Sequence, residues 1–250
     1  MSALGLDSPA ANGLAGTTLP MPPPVLLGHR GSRAARSVPE NTVASFDLAL
    51  SHGCDGFEFD VRRTADGRSV ICHDGTFCGI EIAAAGAGHL QDLPTLELIL
   101  ARYAHSAFLD IEIKVAGLER QVLDALDRYP PTRGYVVSSF LPDVLLSLRM
   151  LAPRLPLGLL CEHPSQLASW AHLPVQFVIP HFTLVDQDLC AAVHAAGKKV
   201  FVWTVNGREA MLRMQRSGAD GIISDNTKLL VAVLGGRATV GTRKGSAPSR

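Results

Sequence analysis

Gly56-Phe57-Glu58-Phe59-Asp60-Val61 is the stretch of this 250-residue chain that decides the fold. Its apolar side chains alternate with acidic ones, which is the period-two pattern of a β-strand with one apolar face and one charged face. Segments with helical spacing flank the strand, so we expect a parallel sheet, whose strands are normally apolar on both sides. Glu58 and Asp60 would then turn inward and lose hydration, which costs several kcal/mol per ion unless a cation compensates. The pattern therefore predicts a metal ion beside these two carboxylates.

A turn and a second short strand follow this segment. Residues 65–68 read Ala-Asp-Gly-Arg, which is a turn signal, and residues 69–72 have the composition of a strand. This strand ends in His73-Asp74. Because the chain turns back here, we expect the imidazole of His73 to come close to the acidic pair.

Strand and helix signals alternate along the rest of the chain. The apolar patterns predict strands at residues 25–27, 56–61, 108–115, 135–140, 157–161, 176–179, 199–205 and 221–224. They predict helices at residues 41–51, 95–105, 118–129, 142–151, 165–172, 186–196, 207–217 and 227–234. Eight strand-then-helix units in one domain predict an α/β fold of the (β/α)8 TIM barrel type. An open, doubly wound sheet is the alternative, but Gly28-His29-Arg30-Gly31 lacks the spacing of a dinucleotide-binding turn.

Composition sets the domain limits and excludes several classes of partner. We expect a flexible tail at residues 1–24, a single barrel domain at 25–235, and a flexible basic tail at 236–250. Lysine plus arginine and aspartate plus glutamate balance at 23 each, which gives no general attraction for nucleic acid or an anionic membrane. The sequence shows neither a secretory signal nor a membrane-spanning run, and its five cysteines suggest buried thiols in a reduced, cytoplasmic setting. Whether copies of the chain form a homo-oligomer is left open.

Candidate site residues gather at the carboxyl ends of the first three predicted strands, where barrels of this type carry their active sites. His29 and Arg30 end the first strand, and Glu112 and Lys114 lie near the end of the third. With Glu58 and Asp60, Glu112 makes a set of carboxylates that suits Mg²⁺ or Ca²⁺. Arg30 and Lys114 add positive charge suited to a phosphate group. His29 and His73 could then act as base and acid on a phosphodiester.

An ordered set of motifs resembles the glycerophosphodiester phosphodiesterase family between about residues 25 and 230. The motifs are His29-Arg30-Gly31, Pro39-Glu40-Asn41-Thr42, Glu58-x-Asp60, Asp66-Gly67 with Val70, His73-Asp74, Glu112-x-Lys114, Trp203-Thr204-Val205-Asn206 and the segment from Gly218 to Asp225. The resemblance implies a (β/α)8 barrel that hydrolyses glycerophosphodiesters to an alcohol and sn-glycerol 3-phosphate with a divalent metal. Residues 75–80 depart from the family pattern, in a loop that shapes the substrate pocket of relatives.

Carried over residue by residue, the resemblance implies a role for each candidate. Glu58, Asp60 and Glu112 would be the metal ligands, His29 and His73 the acid–base pair, and Arg30 and Lys114 the phosphate contacts. Glu40 opens the helix after the first strand, so its side chain should reach the metal or His29. Trp203 ends the seventh strand, where its ring could pack against glycerol or the leaving group.

Other functions share these residues. A lysophospholipase D would use the same centre but need an apolar trough for an acyl chain, for which the loop at residues 77–90 is the candidate. A lyase similar to the phosphoinositide-specific phospholipase C barrels would use the paired histidines and release a cyclic phosphate. A catalytically silent barrel that binds phosphodiesters is the non-enzymatic alternative. For the hydrolase, we expect His29 to deprotonate water or the glycerol 2-hydroxyl and His73 to protonate the leaving alcohol.

Overall fold

The computed structural model describes residues 22–236, so most of the two expected tails lies outside the described residues. Eight parallel strands form a closed barrel in the described chain, because the first strand pairs with both the second and the last. The strands are Val25–Gly28, Gly56–Arg63, Phe108–Ile113, Tyr135–Ser139, Leu157–Cys161, Phe177–Pro180, Lys199–Val202 and Gly221–Ser224. The predicted (β/α)8 barrel is confirmed.

Eight α-helices connect or follow these strands in the described chain. They are Val43–Ser51, Leu96–Tyr103, Glu119–Arg128, Pro142–Leu151, Pro164–Leu167, Gln187–Ala195, Arg208–Ser217 and Thr227–Leu234. Several begin at a side-chain cap, such as Thr42, whose hydroxyl accepts a hydrogen bond from the amide of Ser45. Across residues 22–236, no helix has both the length and the apolar content that a bilayer crossing requires.

The alternation within the second and third strands decides what faces the barrel interior. Phe57 and Phe59 point outward into the main hydrophobic cluster, where the ring of Phe57 stacks on Phe46 of the first helix. Glu58 and Asp60 therefore point inward, and Glu112 of the third strand lies directly beside Asp60 in the sheet register. The polar face predicted for these strands is thus the inner face of the barrel at its carboxyl end.

Two segments differ from the sequence prediction. The fifth helix was predicted over residues 165–172 but ends at Leu167, because the following amides bond to carbonyls three residues earlier and form tight turns. The segment after His73, for which the sequence predicts only a loop, forms a short hairpin of Thr76–Phe77 and Ile80–Glu81 followed by two 3₁₀ turns. Its tip contains Cys78 and Gly79, both with positive φ.

The cysteines agree only in part with the prediction of buried thiols. Cys54, Cys161 and Cys190 are buried, and all five cysteines are free. Cys72 is half-buried and Cys78 is exposed, because Cys78 lies at the hairpin tip. Burial raises the pKa of Cys54 and of Cys161 to about 12, so these two thiols stay protonated and pack as small hydrophobic groups.

Candidate active site

Three buried carboxylates from two adjacent strands meet at the carboxyl end of the barrel. Glu58, Asp60 and Glu112 each offer one oxygen, and these oxygens lie within 4.8 Å of one another. The residues are only 3%, 0% and 6% exposed, respectively. Oε1 of Glu58 has no hydrogen-bond partner, and Oδ1 of Asp60 and Oε1 of Glu112 share the single ammonium group of Lys114, at 3.3 Å and 2.6 Å. Three converging buried carboxylate oxygens beside one ammonium group fit a hard divalent cation, which prefers oxygen ligands.

The charges of this cluster are incompletely balanced by protein groups alone. Burial and the neighbouring carboxylates, chiefly Asp60, raise the pKa of Glu112 to about 8 and that of Glu58 well above its usual value. Burial also raises the pKa of Asp110 to about 7, although Ser138 donates a hydrogen bond of 2.6 Å to its carboxylate. A divalent cation at this site would stabilise the ionised carboxylates and lower these pKa values.

Asp60 differs from its neighbours because two cations face it. Burial alone would raise its pKa, but the charges of Lys114 and Arg30 and a hydrogen bond from Asn41 outweigh burial and lower the pKa. Lys114 Nζ lies 3.3 Å from Asp60 Oδ1, and Arg30 Nε lies 3.4 Å from Asp60 Oδ2. The side-chain NH₂ group of Asn41 donates a hydrogen bond to Asp60 Oδ2 at 2.8 Å. Asp60 is therefore the most firmly ionised member of the cluster.

Arg30 occupies a fixed position at the end of the first strand. Its backbone adopts a positive φ of 51°, and its amide donates to Glu58 Oε2 at 3.0 Å. Its guanidinium donates to Glu40 Oε1 at 2.8 Å, and the other carboxylate oxygen of Glu40 pairs with Arg33. The sequence predicts that Glu40 reaches the metal or His29. It contacts Arg30 and Arg33 instead, and Arg30 in turn lies 3.4 Å from Asp60 Oδ2, so Glu40 orients Arg30 from one residue away from the cluster.

His29 is buried beside the carboxylate cluster and paired with an aspartate from the last strand. Its Nδ1 lies 2.7 Å from Asp225 Oδ1, and its Nε2 lies 3.9 Å from Glu58 Oε2. Burial lowers the pKa of His29, although the hydrogen bond with Asp225 acts in the opposite direction. The imidazole is therefore neutral near pH 7, and a neutral imidazole can accept a proton.

His73 has a more open environment on the other flank of the site. Its side chain is 34% exposed, and its Nδ1 lies 2.7 Å from Asp74 Oδ1. The guanidinium of Arg62 donates to the carbonyl of His73 at 2.8 Å and holds the backbone in place. An imidazole that reaches solvent can exchange protons with water between turnovers.

One cavity at the barrel mouth brings together most of the sequence-predicted residues, but Asp60 and Glu40 do not line it. Its volume is about 400 Å³, and it is lined by His29, Arg30, Glu58, His73, Glu112, Lys114, Phe140, Leu160, Glu162, Trp203 and Ile223. Trp203 is anchored by its indole N–H, which donates to the carbonyl of Ile179 at 2.9 Å. Its ring meets Phe140 edge-on at a centroid distance of 5.6 Å. The cavity is therefore charged on one side and aromatic on the other.

Sequence reasoning missed four residues that help to form the site. Asp225 and Asn41 were visible only as members of motifs, and their hydrogen bonds to His29 and Asp60 span 196 and 19 residues of sequence. Phe140 and Glu162 line the cavity just after the fourth and fifth strands. Their place after barrel strands was the only available signal, since neither lies in a recognised motif.

Comparison with known proteins agrees with this geometry. The model of the glycerophosphoryl diester phosphodiesterase family matches residues 29–106 and 108–229. A glycerophosphodiester phosphodiesterase of Caldanaerobacter subterraneus subsp. tengcongensis is 30% identical over 240 residues, covering 83% of this chain and 96% of the relative.

Solved structures show the same barrel. A putative glycerophosphoryl diester phosphodiesterase from Silicibacter pomeroyi has a TM-score of 0.76 at 25% identity, covering 85% of this chain and 94% of the other. An Oleispira antarctica phosphodiesterase, solved in complex with the product sn-glycerol-3-phosphate, has a TM-score of 0.74 at 25% identity and covers 85% and 97% of the two chains.

Proposed function

The chain belongs to the glycerophosphoryl diester phosphodiesterase family, and we propose that it hydrolyses small glycerophosphodiesters by metal-assisted acid–base catalysis with two histidines. The products would be an alcohol and sn-glycerol 3-phosphate. One observation carries the proposal: Glu58 and Glu112, two members of the buried carboxylate cluster, line the same cavity as Arg30, His29 and His73. A site that only bound phosphodiesters would not require a base and an acid on either side of it.

Glu58, Asp60 and Glu112 are the residues that would hold the metal, either Mg²⁺ or Ca²⁺. Their oxygens are hard ligands, and Oε1 of Glu58, which has no hydrogen-bond partner, is available to an incoming cation. When bound, a divalent cation would supply Lewis-acid stabilisation of charge on the phosphoryl oxygens. Zinc would favour cysteine and histidine ligands, and this ligand set contains only carboxylates.

Arg30 and Lys114 would hold the phosphate beside these carboxylates. Arg30 is oriented by Glu40 at 2.8 Å and by Asp60, which faces its Nε at 3.4 Å, and it lines the cavity in which an anionic oxygen would bind. Lys114 reaches the same cavity from the third strand. Trp203, on the aromatic side, would pack against the glycerol carbons or the leaving group.

His29 would act as the base and His73 as the acid. A buried imidazole with a lowered pKa and a free Nε2 is suited to deprotonating water or the glycerol 2-hydroxyl. His73, at 34% exposure, would protonate the departing alcohol and then regain a proton from solvent. Each transfer would contribute about 10²- to 10⁴-fold to the rate.

The loop at residues 77–90 supports a small, water-soluble substrate rather than a lysolipid. Its large apolar residues Ile82 and Leu90 are 1% and 2% exposed and pack with Val70 in a separate small cluster, against which Phe77 also packs. Among the large apolar residues of the loop, only Ile80 is exposed, at 37%, and one such side chain is too little apolar surface for the acyl chain that a lysophospholipase D would bind. The free cysteines support the further proposal that the barrel, residues 25–235, works in the cytoplasm.

A substrate panel tests this function. Purified protein would be incubated with glycerophosphocholine, glycerophosphoethanolamine, glycerophosphoinositol and a lysolipid, each with Mg²⁺, Ca²⁺ or chelator. We expect sn-glycerol 3-phosphate from the three soluble diesters, only with metal, and no product from the lysolipid. A stable cyclic phosphate as the end product would indicate the lyase instead, and product formation in chelator would contradict the metal requirement.

A further inference from the structure

Asp225 joins the carboxyl end of the last strand to the buried histidine of the first strand. Its Oδ1 lies 2.7 Å from His29 Nδ1, and its Oδ2 accepts a hydrogen bond of 2.7 Å from Asn206. Its side chain is 17% exposed. The backbone amide of His29 also donates to the carbonyl of Ser224 at 2.9 Å, so main chain and side chain are anchored to the same strand.

Asn206 has its amide orientation fixed by two donors. Its Oδ1 accepts from the backbone amide of Asp225 at 2.9 Å and from the hydroxyl of Ser224 at 3.1 Å. Since the hydroxyl of Ser224 also accepts from the amide of Asn226, its own proton is directed to Asn206. The NH₂ group of Asn206 must therefore point at Asp225 Oδ2.

Oδ2 of Asp225 therefore accepts from Asn206, and Oδ1, as the other oxygen of an ionised carboxylate, can only accept from His29 Nδ1. An amide at this position would offer one acceptor and one donor, and the donor would have to face either Asn206 or His29. Because Asn206 already presents its own NH₂ group, the donor of an amide would be directed to His29 Nδ1. Only a carboxylate leaves the proton of His29 on Nδ1.

We propose that Asp225, oriented by Asn206, is a positioning residue that holds His29 as the Nδ1–H tautomer with the lone pair of Nε2 free in the active-site cavity. The inference rests on the proposed function in assigning His29 the role of base. The Nδ1–H tautomer also agrees with the contact on the other side of the imidazole ring, where Nε2 lies 3.9 Å from Glu58 Oε2 and donates no hydrogen bond to it. A base with its lone pair on Nε2 can take a proton from the nucleophile.

The protein provides a matched control at the opposite end of the same strand. Asp220 precedes that strand and pairs with His194, whose Nε2 lies 2.8 Å from Asp220 Oδ2. Asp220 Oδ2 also accepts from the amide of Val200, and neither Asp220 nor His194 lines the cavity. Asp220→Asn removes the same charge next to a histidine without touching the site.

The first measurement is the tautomer of His29 in the unmodified protein, read from ¹⁵N shifts of its ring nitrogens with Mg²⁺ present. At about pH 8, above the ordinary histidine pKa, we expect a protonated Nδ1 and an unprotonated Nε2. His29→Gln assigns the resonance. An unmodified protein with the proton on Nε2 would overturn the inference, whether or not the protein hydrolyses any diester.

The second measurement is kinetic. Asp225→Asn should move the proton to Nε2 and lower kcat for glycerophosphocholine by about 10²- to 10⁴-fold, with KM changed less than about threefold. The double variant Asp225→Asn with Asn206→Asp reverses the donor and acceptor across the pair, so the amide oxygen again faces His29. It should recover at least about tenfold of the lost kcat and return the ¹⁵N shifts to the Nδ1–H pattern, while Asn206→Asp alone, which keeps the carboxylate of Asp225, should keep the Nδ1–H pattern throughout.

These outcomes separate positioning from a merely structural role. Loss of thermal stability in Asp225→Asn with normal kcat in the folded fraction, or no recovery in the double variant, would refute the inference. So would an equal kcat loss in Asp220→Asn. If the unmodified protein hydrolyses none of the diesters, the proposed function fails. The ¹⁵N shifts of the unmodified protein, of Asp225→Asn, of Asn206→Asp and of the double variant still decide the tautomer of His29.

Discussion

The ammonium group of Lys114 lies 2.6 Å from Oε1 of Glu112, a carboxylate that we propose as a metal ligand. The same ammonium lies 3.3 Å from Asp60 Oδ1, so it contacts two of the three carboxylates in the cluster. Lys114 therefore supplies part of the charge that a divalent cation would supply. Without metal it stabilises the cluster, and with metal it competes for the same oxygens.

Lys114→Met should affect stability and metal binding in opposite directions. Removing one partner of a buried ion pair leaves the other charge uncompensated, so we expect the metal-free variant to lose on the order of 2 to 3 kcal/mol of unfolding free energy. Mg²⁺ or Ca²⁺ should then raise its Tm more than it raises that of the unmodified protein. Thermal melts at increasing metal concentration measure both effects.

Lys199→Met is the control for that experiment, because Lys199 is an exposed lysine near Phe177 at the amino end of the barrel. It should change neither the metal-free Tm nor the metal-induced increase. KM for glycerophosphocholine should rise only in Lys114→Met. Equal melts for Lys114→Met and the unmodified protein would show that Lys114 does not neutralise the cluster.

The metal-free protein should lose stability as the pH rises from about 6.5 to about 8. The folded-state pKa is raised to about 8 for Glu112 and to about 7 for Asp110. A carboxyl group whose pKa is raised on folding contributes stability that is complete below its unfolded pKa and lost as the pH rises through its folded pKa. We expect Tm in chelator to fall by at least about 3 °C, which corresponds to about 1 kcal/mol in a protein of this size.

The titration of Asp60 and of His29 does not mask the expected fall in stability between about pH 6.5 and 8. The pKa of Asp60 is lowered, so its contribution is lost only in acid. The pKa of His29 is also lowered, so between about pH 6.5 and 7.5 it adds a small increase in stability that opposes the expected fall, and above about pH 7.5 its imidazole is neutral in both folded and unfolded states. Glu112→Gln should make the pH dependence in chelator shallower, because Glu58 and Asp110 keep raised pKa values, and should abolish the metal-induced increase in Tm. A metal-free Tm that rises with pH across this window would contradict the charge balance described for the cluster.

The barrel and the carboxylate cluster were predictable because they depend on local alternation. Phe57 and Phe59 must face the helices, so Glu58 and Asp60 must face the interior, and the same holds for Ile111 and Ile113 around Glu112. Eight such strands at regular spacing then define a barrel whose carboxyl ends meet.

The partners of these residues were not predictable, because each depends on distant parts of the chain. The contact between His29 and Asp225 crosses 196 residues of sequence and exists only because the first and last strands pair. Glu40 is close enough in sequence to the first strand for its side chain to be expected near the metal. It pairs instead with Arg30 and Arg33, which carry the opposite charge. The short fifth helix ends at Leu167 although the apolar spacing of the sequence continues.

The two histidines should respond differently to the leaving group. With glycerophosphocholine, we expect His29→Gln and His73→Gln each to lower kcat by about 10²- to 10⁴-fold, since both proton transfers are needed. With the p-nitrophenyl ester of glycerol 3-phosphate, the leaving group departs without a proton. His73→Gln should then be nearly as active as the unmodified protein, whereas His29→Gln should stay impaired.

His105→Gln provides the histidine control, because His105 is exposed and pairs only weakly with Thr132 at 3.4 Å. It should have normal kcat with both substrates. Rescue of His29→Gln rather than His73→Gln by the activated ester would reverse the assignment of base and acid. Normal turnover in both variants would end the two-histidine mechanism.

Gly56 sets the distance between the two strands that carry the carboxylates. It lies opposite Phe108 in the register, and a Cβ at this position would be 1.8 Å from the carbonyl oxygen of Phe108. Gly56→Ala must therefore push the strands apart, at a cost of about 2 to 3 kcal/mol of unfolding free energy. Because Glu58 and Asp60 lie on one strand and Glu112 on the other, the variant should also bind Mg²⁺ or Ca²⁺ more weakly, as measured by the metal-induced change in Tm.

Gly88→Ala, where an added Cβ would meet nothing within 4 Å, should behave as the unmodified protein does. A Gly56→Ala protein with an unchanged metal response would mean that the strand spacing does not set the geometry of the cluster.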